Sequence, residues 1–197
     1  MSSTSRGGKR SASDNYPTPA FAVHRLLERL ELPGGSWLES SAGTGSIIKA
    51  VNAVRKDVTW VACELRSECR PALAALGIKG VNLLTGCSFL STPPAKPSDV
   101  CINNVPFSLA QEFIEHTLHF APHVIHLLRL NYLGTEKRNE FFKSNMPDVY
   151  VIPDRVSFTN DGKADSIEYC FMHWGPERGR RSGKIEVLST TPVGERR

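Results

Sequence analysis

The chain has no stretch approaching the roughly 18 consecutive apolar residues needed to cross a bilayer, and its opening, Met1 to Ser13, has no apolar core of a secretory signal. Membrane and secreted classes are therefore not expected. Cysteine is scarce and unpaired: Cys63, Cys69, Cys87, Cys101 and Cys170 make an odd number with no C-x-x-C pair. That pattern argues against a disulfide framework and a zinc ribbon, and points to a reducing, intracellular compartment. Aromatics are only 8% of the residues, and neither internal repeat nor low-complexity tract is visible in the body. What remains is an ordinary globular composition, 40% hydrophobic and 22% charged over 197 residues, enough for one domain with a sizeable core.

The net charge of +4 is unevenly spread. Residues 1–13 hold three Lys/Arg and no acid, and residues 175–197 hold six (Arg178, Arg180, Arg181, Lys184, Arg196, Arg197) against three Glu. Residues 14–174 are left with 15 bases against 17 acids. Both basic ends read as disordered or flexible tails suited to a polyanion such as nucleic acid, flanking one domain over 14–174.

Within that domain, Thr18 is placed to cap a helix whose first turn takes Pro19 and whose apolar face is Phe21, Val23, Leu26, Leu27 and Leu30. Short apolar runs then follow at 36–39, 58–63, 80–84, 99–102 and 124–130, with helical segments at 46–55, 67–76 and 109–120 between them. Strand and helix in alternation predict a parallel sheet covered on both faces. The runs 149–152 and 167–174 break the alternation and predict an antiparallel pair at one edge.

Two turns carry the chemistry. The first, Glu39-Ser40-Ser41-Ala42-Gly43-Thr44-Gly45, leads from a strand into a helix; its glycines let the backbone approach a ligand beside unpaired helix N–H groups. Glu64 ends the next strand 19 residues after Gly45, where a carboxylate in this kind of fold accepts the two hydroxyls of a ribose. The third glycine of the dinucleotide fingerprint is missing, so a single adenosine-containing ligand fits better than a dinucleotide. The second turn, Asn103-Asn104-Val105-Pro106-Phe107, is delivered to the carboxyl end of a buried strand, where ligands of open parallel sheets gather.

Together with Tyr16-Pro17-Thr18-Pro19, the stretch Leu127 to Leu133, the segment Ser157 to Lys163, Glu168-Tyr169 and Trp174, these turns resemble the amino-group DNA methyltransferases that use S-adenosylmethionine. Their hallmark is Asn/Asp-Pro-Pro-Tyr/Phe, and the later stretches are most similar to small bacteriophage adenine methyltransferases. The resemblance implies an α/β, single-domain, Rossmann-like class I methyltransferase fold, with a mostly parallel seven-stranded sheet whose last strand is antiparallel. It implies a DNA partner, methyl transfer to the 6-amino group of adenine, and the cytoplasm of a bacterial host. It also implies site residues: Asn104, Val105, Pro106 and Phe107 for catalysis; Tyr16, Thr18, Glu39, Ser41, Gly43, Gly45, Glu64 and Ser88 for the cofactor; Phe158, Arg129 and Asn131 for the substrate. An RNA or protein nitrogen as acceptor, or a decayed binding module, are the alternatives.

An exocyclic amino group is a poor nucleophile because its lone pair is delocalised into the ring. Two acceptors aimed at its hydrogens, the Asn104 side-chain carbonyl and the carbonyl of residue 105, would favour a pyramidal nitrogen free to attack a sulfonium methyl group, so that catalysis is positioning and electrostatics. Phe107 offers a face for the base, which must leave its stack to arrive, and Phe158 is the candidate ring for the opposite face.

The sequence departs from that pattern three times. Ser40 replaces a usual Pro, which is expected to change only turn rigidity. Val105 replaces the first Pro of the hallmark, and Thr85 to Leu90 lacks the acid that would meet the cofactor's adenine amino group, leaving Ser88 or the main chain to accept. His116, His119, His123 and His126 are not expected to bind a metal, since Pro122 interrupts their helix. Oligomeric state is left open.

Overall fold

The computed structural model describes residues 16–78, 80–158, 167–179 and 182–195. Eight strands form one sheet in the order β3-β2-β1-β4-β5-β7-β6-β8. In chain order the elements are α1 (Ala20–Arg29), β1 (Gly35–Glu39), α2 (Ser46–Val54), β2 (Val58–Glu64), α3 (Arg70–Ala74), β3 (Val81–Thr85), β4 (Val100–Asn103), α4 (Ala110–Thr117), β5 (His123–Arg129), α5 (Asn139–Ser144), β6 (Asp148–Val151), β7 (Tyr169–Trp174) and β8 (Ile185–Val187). Strands β1 to β5 pair in parallel, and β7 runs antiparallel to both β5 and β6.

Side chains alternate across the sheet. Trp37, Trp60, Ile102 and Leu127 face the layer of α1 and α2, where Leu26, Ile47, Ile48 and Val51 are fully buried. Leu38, Cys101, Val124 and Leu128 face the layer of α4 and α5, against Phe113, Ile114 and Phe142. His126 is buried on this second face, where Thr117 Oγ1 lies 3.0 Å from its Nε2, and burial holds its imidazole down at about 3. Among the described residues no helix is long and apolar enough to cross a membrane, and no group of three or more His, Cys, Asp or Glu could hold a metal ion.

The structure amends three expectations. Helix α1 begins at Ala20 behind an extended Pro19, without a side-chain cap, because the Thr18 hydroxyl is bonded elsewhere. The antiparallel pair does not end the sheet: β7 inserts between β5 and β6, and β8 adds an eighth strand parallel to β6. Consequently the described part of 175–197 is not a free tail. Lys184 N donates to Asp148 Oδ1, Leu188 N to Val151 O, and Leu188 and Thr191 are buried. The basic segment 1–13, Thr159 to Lys163, Arg180, Arg181, Arg196 and Arg197 lie outside the described residues.

Candidate active site

A cleft of about 370 Å³ opens at the carboxyl ends of the parallel strands, and three segments distant in sequence meet there. The turn after β1 supplies Glu39 to Thr44, β2 ends on Glu64, and the turn after β4 supplies Asn104 to Leu109. The segment Tyr16-Pro17-Thr18 closes one side, and Ser88, Phe89 and Leu90 the other.

Local chemistry explains the glycine turn. Gly43 has φ +54° and Gly45 φ +83°, the left-handed region that side chains rarely enter. Gly43 N donates to Glu64 Oε2 at 2.6 Å, so the turn is fastened to the neighbouring strand. Gly45 has a different role from the one expected: it does not line the cleft, and a Cβ there would lie 2.6 Å from Leu76 Cδ1 and 3.0 Å from Leu73 Cδ2. Its missing side chain lets α2 start against Leu73 of α3 and Leu76 just beyond it.

Two carboxylates in the cleft are shifted in opposite directions. Burial pushes Glu39 well above its ordinary value, with Glu64 adding to the shift and the Ile48 N–H opposing it; its Oε2 has no hydrogen-bond partner among the described residues. Burial would raise Glu64 too, but donors outweigh it there: Arg66 Nε at 2.9 Å and Arg66 N at 3.0 Å on Oε1, and Gly43 N on Oε2. Glu64 therefore sits below the usual carboxylate range. Arg66 was not singled out from the sequence, although an Arg two residues after a strand-end Glu was the available signal. An ionised Glu64 with lone pairs left on its oxygens suits vicinal hydroxyls, provided the Arg66 side chain yields; the unpaired Glu39 oxygen suits an amino group. Leu65, 66% exposed, adds an apolar ledge beside them.

The second turn is over-determined. Asn104 Nδ2 donates to Tyr16 O at 2.8 Å and Thr18 Oγ1 at 3.1 Å, and Asn104 O accepts from Ser41 Oγ at 3.1 Å. Asn103, just before it, is fully buried; its Oδ1 accepts from Ser40 N at 2.6 Å and Ser40 Oγ at 2.8 Å. Thr18 and Ser41, expected at the cofactor, are thus wired to the second turn. Val105 is buried at 2% exposure, and Pro106 and Phe107 line the cleft.

Of the expected substrate residues, Arg129 ends β5 with its guanidinium carbon 4.9 Å from the centre of the Phe107 ring, while its Nε is buried without a hydrogen-bond partner. One face of Phe107 is therefore taken. Phe158 is buried, edge-on to Tyr16 at 5.9 Å and to Tyr169 at 4.8 Å, and does not line the cleft; Tyr16, 42% exposed, is the ring that does. Asn131 is exposed in the turn after β5 and lies outside the cleft.

No family model and no curated sequence matches the chain. Solved structures do. A candidate RNA methyltransferase of Pyrococcus horikoshii superposes with a TM-score of 0.59 at 13% identity, over 79% of this chain and 81% of that one. The 23S rRNA methyltransferase ErmE gives 0.57 at 15% identity, over 84% and 70%. A precorrin-6y C5,15-methyltransferase of Geobacter metallireducens gives 0.56 at 17% identity, over 79% and 86%. The chain has the Rossmann-like methyltransferase fold. These neighbours differ in acceptor, and at such identities the likeness extends to the fold alone.

Proposed function

We propose that the protein is an S-adenosylmethionine-dependent methyltransferase acting on an exocyclic amino nitrogen of adenine in nucleic acid, with RNA ahead of DNA as the polymer. The observation that carries this reading is the convergence, in one cleft, of the glycine turn, an ionised Glu64 and the Asn104-Val105-Pro106-Phe107 turn. RNA is favoured because two of the structural neighbours described above are RNA methyltransferases by description. The motif resemblance to phage adenine enzymes keeps DNA as the second reading.

The cofactor supplies an electrophilic methyl group on a sulfonium sulfur. Glu64 accepts from the ribose hydroxyls, Glu39 from the methionine amino group, and Gly43 allows close approach of the chain. Asn104 Oδ1 and the Val105 carbonyl accept the two amino hydrogens of the target, freeing the nitrogen lone pair. Held so, the target nitrogen would be placed for attack on the cofactor's methyl group, and the cleft's opening to solvent would let water take the proton it releases. Phe107, which lines the cleft between Arg129 and the Tyr169 ring 6.0 Å away, offers its remaining apolar surface to the base.

Labelled S-adenosylmethionine offered with RNA, single- and double-stranded DNA and protein, followed by digestion to nucleosides or amino acids, tests the reading. Label in N6-methyladenosine from RNA is the expected result, and N6-methyldeoxyadenosine would move the polymer to DNA. Asn104→Ala should abolish transfer and leave S-adenosylhomocysteine binding within about twofold of wild type. Label in protein alone, or an active Asn104→Ala, would overturn the assignment.

A further inference from the structure

Asn104 can act as an acceptor only if its amide is turned the right way round. Oxygen and nitrogen of an Asn side chain are sterically alike, so the orientation must be enforced by what each end meets. Here both hydrogens on Nδ2 have partners in the segment before α1, the Tyr16 carbonyl at 2.8 Å and the Thr18 hydroxyl at 3.1 Å. A main-chain carbonyl only accepts, so the reversed amide would set two oxygens against each other at Tyr16. Thr18 itself is 4% exposed, and its N–H donates to Ser46 Oγ at 3.1 Å, which ties the segment to the first turn of α2. Its hydroxyl, with no part in capping α1, faces Asn104 instead.

We propose that Thr18 is a positioning residue that, with the Tyr16 carbonyl, locks the Asn104 amide with Oδ1 toward the cleft. This rests on the methyltransferase reading for its consequence in catalysis, though the lock itself is a property of the ligand-free protein. It reassigns a residue that the family resemblance puts at the cofactor. The segment 16–18 becomes a strap that sets the acceptor geometry of a turn 86 residues away in sequence.

Two measurements on the full-length protein separate the lock from the reaction. In nitrogen–proton spectra without ligand, the Asn104 side-chain NH2 pair, identified by its loss in Asn104→Asp, should shift and exchange faster in Thr18→Val and return in Thr18→Ser. In steady-state assays Thr18→Val should lower kcat by roughly ten- to a hundredfold, the range for a misplaced catalytic group, with KM for S-adenosylmethionine and S-adenosylhomocysteine affinity near wild type and recovery in Thr18→Ser. An unchanged NH2 pair in Thr18→Val would overturn the lock whatever the activity. Weakened S-adenosylhomocysteine binding with unchanged kcat would return Thr18 to the cofactor. If wild type transfers no methyl group yet the NH2 pair responds as expected, the lock stands and the methyltransferase reading falls.

Discussion

Glu39 and Glu64 line the same cleft, and their neighbours set them apart: Glu39 is fully desolvated with one oxygen unpaired, whereas Glu64 accepts from three N–H groups. The sign of each effect on stability follows from linkage. Glu39, raised in the fold, is stabilising in its protonated form below its ordinary value of 4.5, and that contribution is lost as pH rises through its folded pKa. Glu39→Gln removes the ionisation, so its melting temperature should match wild type near pH 4 and exceed it at pH 8, as scanning calorimetry can record. The same substitution should weaken S-adenosylmethionine binding, because an amide, unlike a carboxyl group, cannot ionise to meet the cofactor's charged amino group. A variant less stable than wild type at pH 8 would mean that Glu39 is not held against ionisation.

Between elements, the turns after β1 and β4 are joined by Asn103, whose buried oxygen takes both the N–H and the hydroxyl of Ser40. The Pro usual at position 40 in the resembled family was expected to differ only in rigidity. The structure corrects this, since Pro has no N–H and would remove both donors at once. Ser40→Pro should therefore cost about 1–3 kcal/mol, the penalty for a buried polar group left unpaired, seen as a lower denaturant midpoint with an unchanged slope. Ser40→Ala keeps the main-chain donor and should cost less. Equal midpoints for Ser40→Pro and wild type would show that the Asn103 oxygen finds another donor.

At the scale of the molecule, the eighth strand changes what truncation would do. Strand β8 is anchored by Arg29 and Lys184 to Glu186, by Arg25 to Glu195 at 3.2 Å, by Thr191 N to Asp154 Oδ2 at 2.7 Å, and by buried Leu188. Exposed ion pairs of this kind contribute little singly, so the backbone ladder and Leu188 carry most of the attachment. Ending the chain after residue 174 should lower the thermal midpoint by several degrees, whereas removing residues 1–13 should leave it unchanged. The second deletion removes three bases and no acid, and should reduce the slope of log affinity against log salt for single-stranded RNA by at most about 2. Identical midpoints for both truncations would contradict the attachment of β8.

Periodicity and turn chemistry are local, which is why strand-helix alternation, the glycine turn after β1, the strand-end Glu64 and the Asn104 to Phe107 turn are legible in the sequence. Helix α2 and strand β4 begin and end within a residue of where their apolar runs do. Partnership between side chains far apart is another matter, because it exists only once the sheet order brings β4 beside β1 and the residues before α1 over both. Thr18 meets Asn104 across 86 residues and Ser40 meets Asn103 across 63, and no spacing within either segment encodes those pairs. The same holds for Gly45, kept small by Leu73 and Leu76, and for Phe158, enclosed by Tyr16 and Tyr169. Strand β8 has just three residues, with a burial pattern too short to carry a period, and it became a strand because β6 offered an open edge. Sequence alone determined which groups reach the cleft with the chemistry to bind and orient; tertiary structure decided which of them touch a ligand and which hold the others in place, because hydrogen-bond geometry is set by the packing of elements and not by their order in the chain.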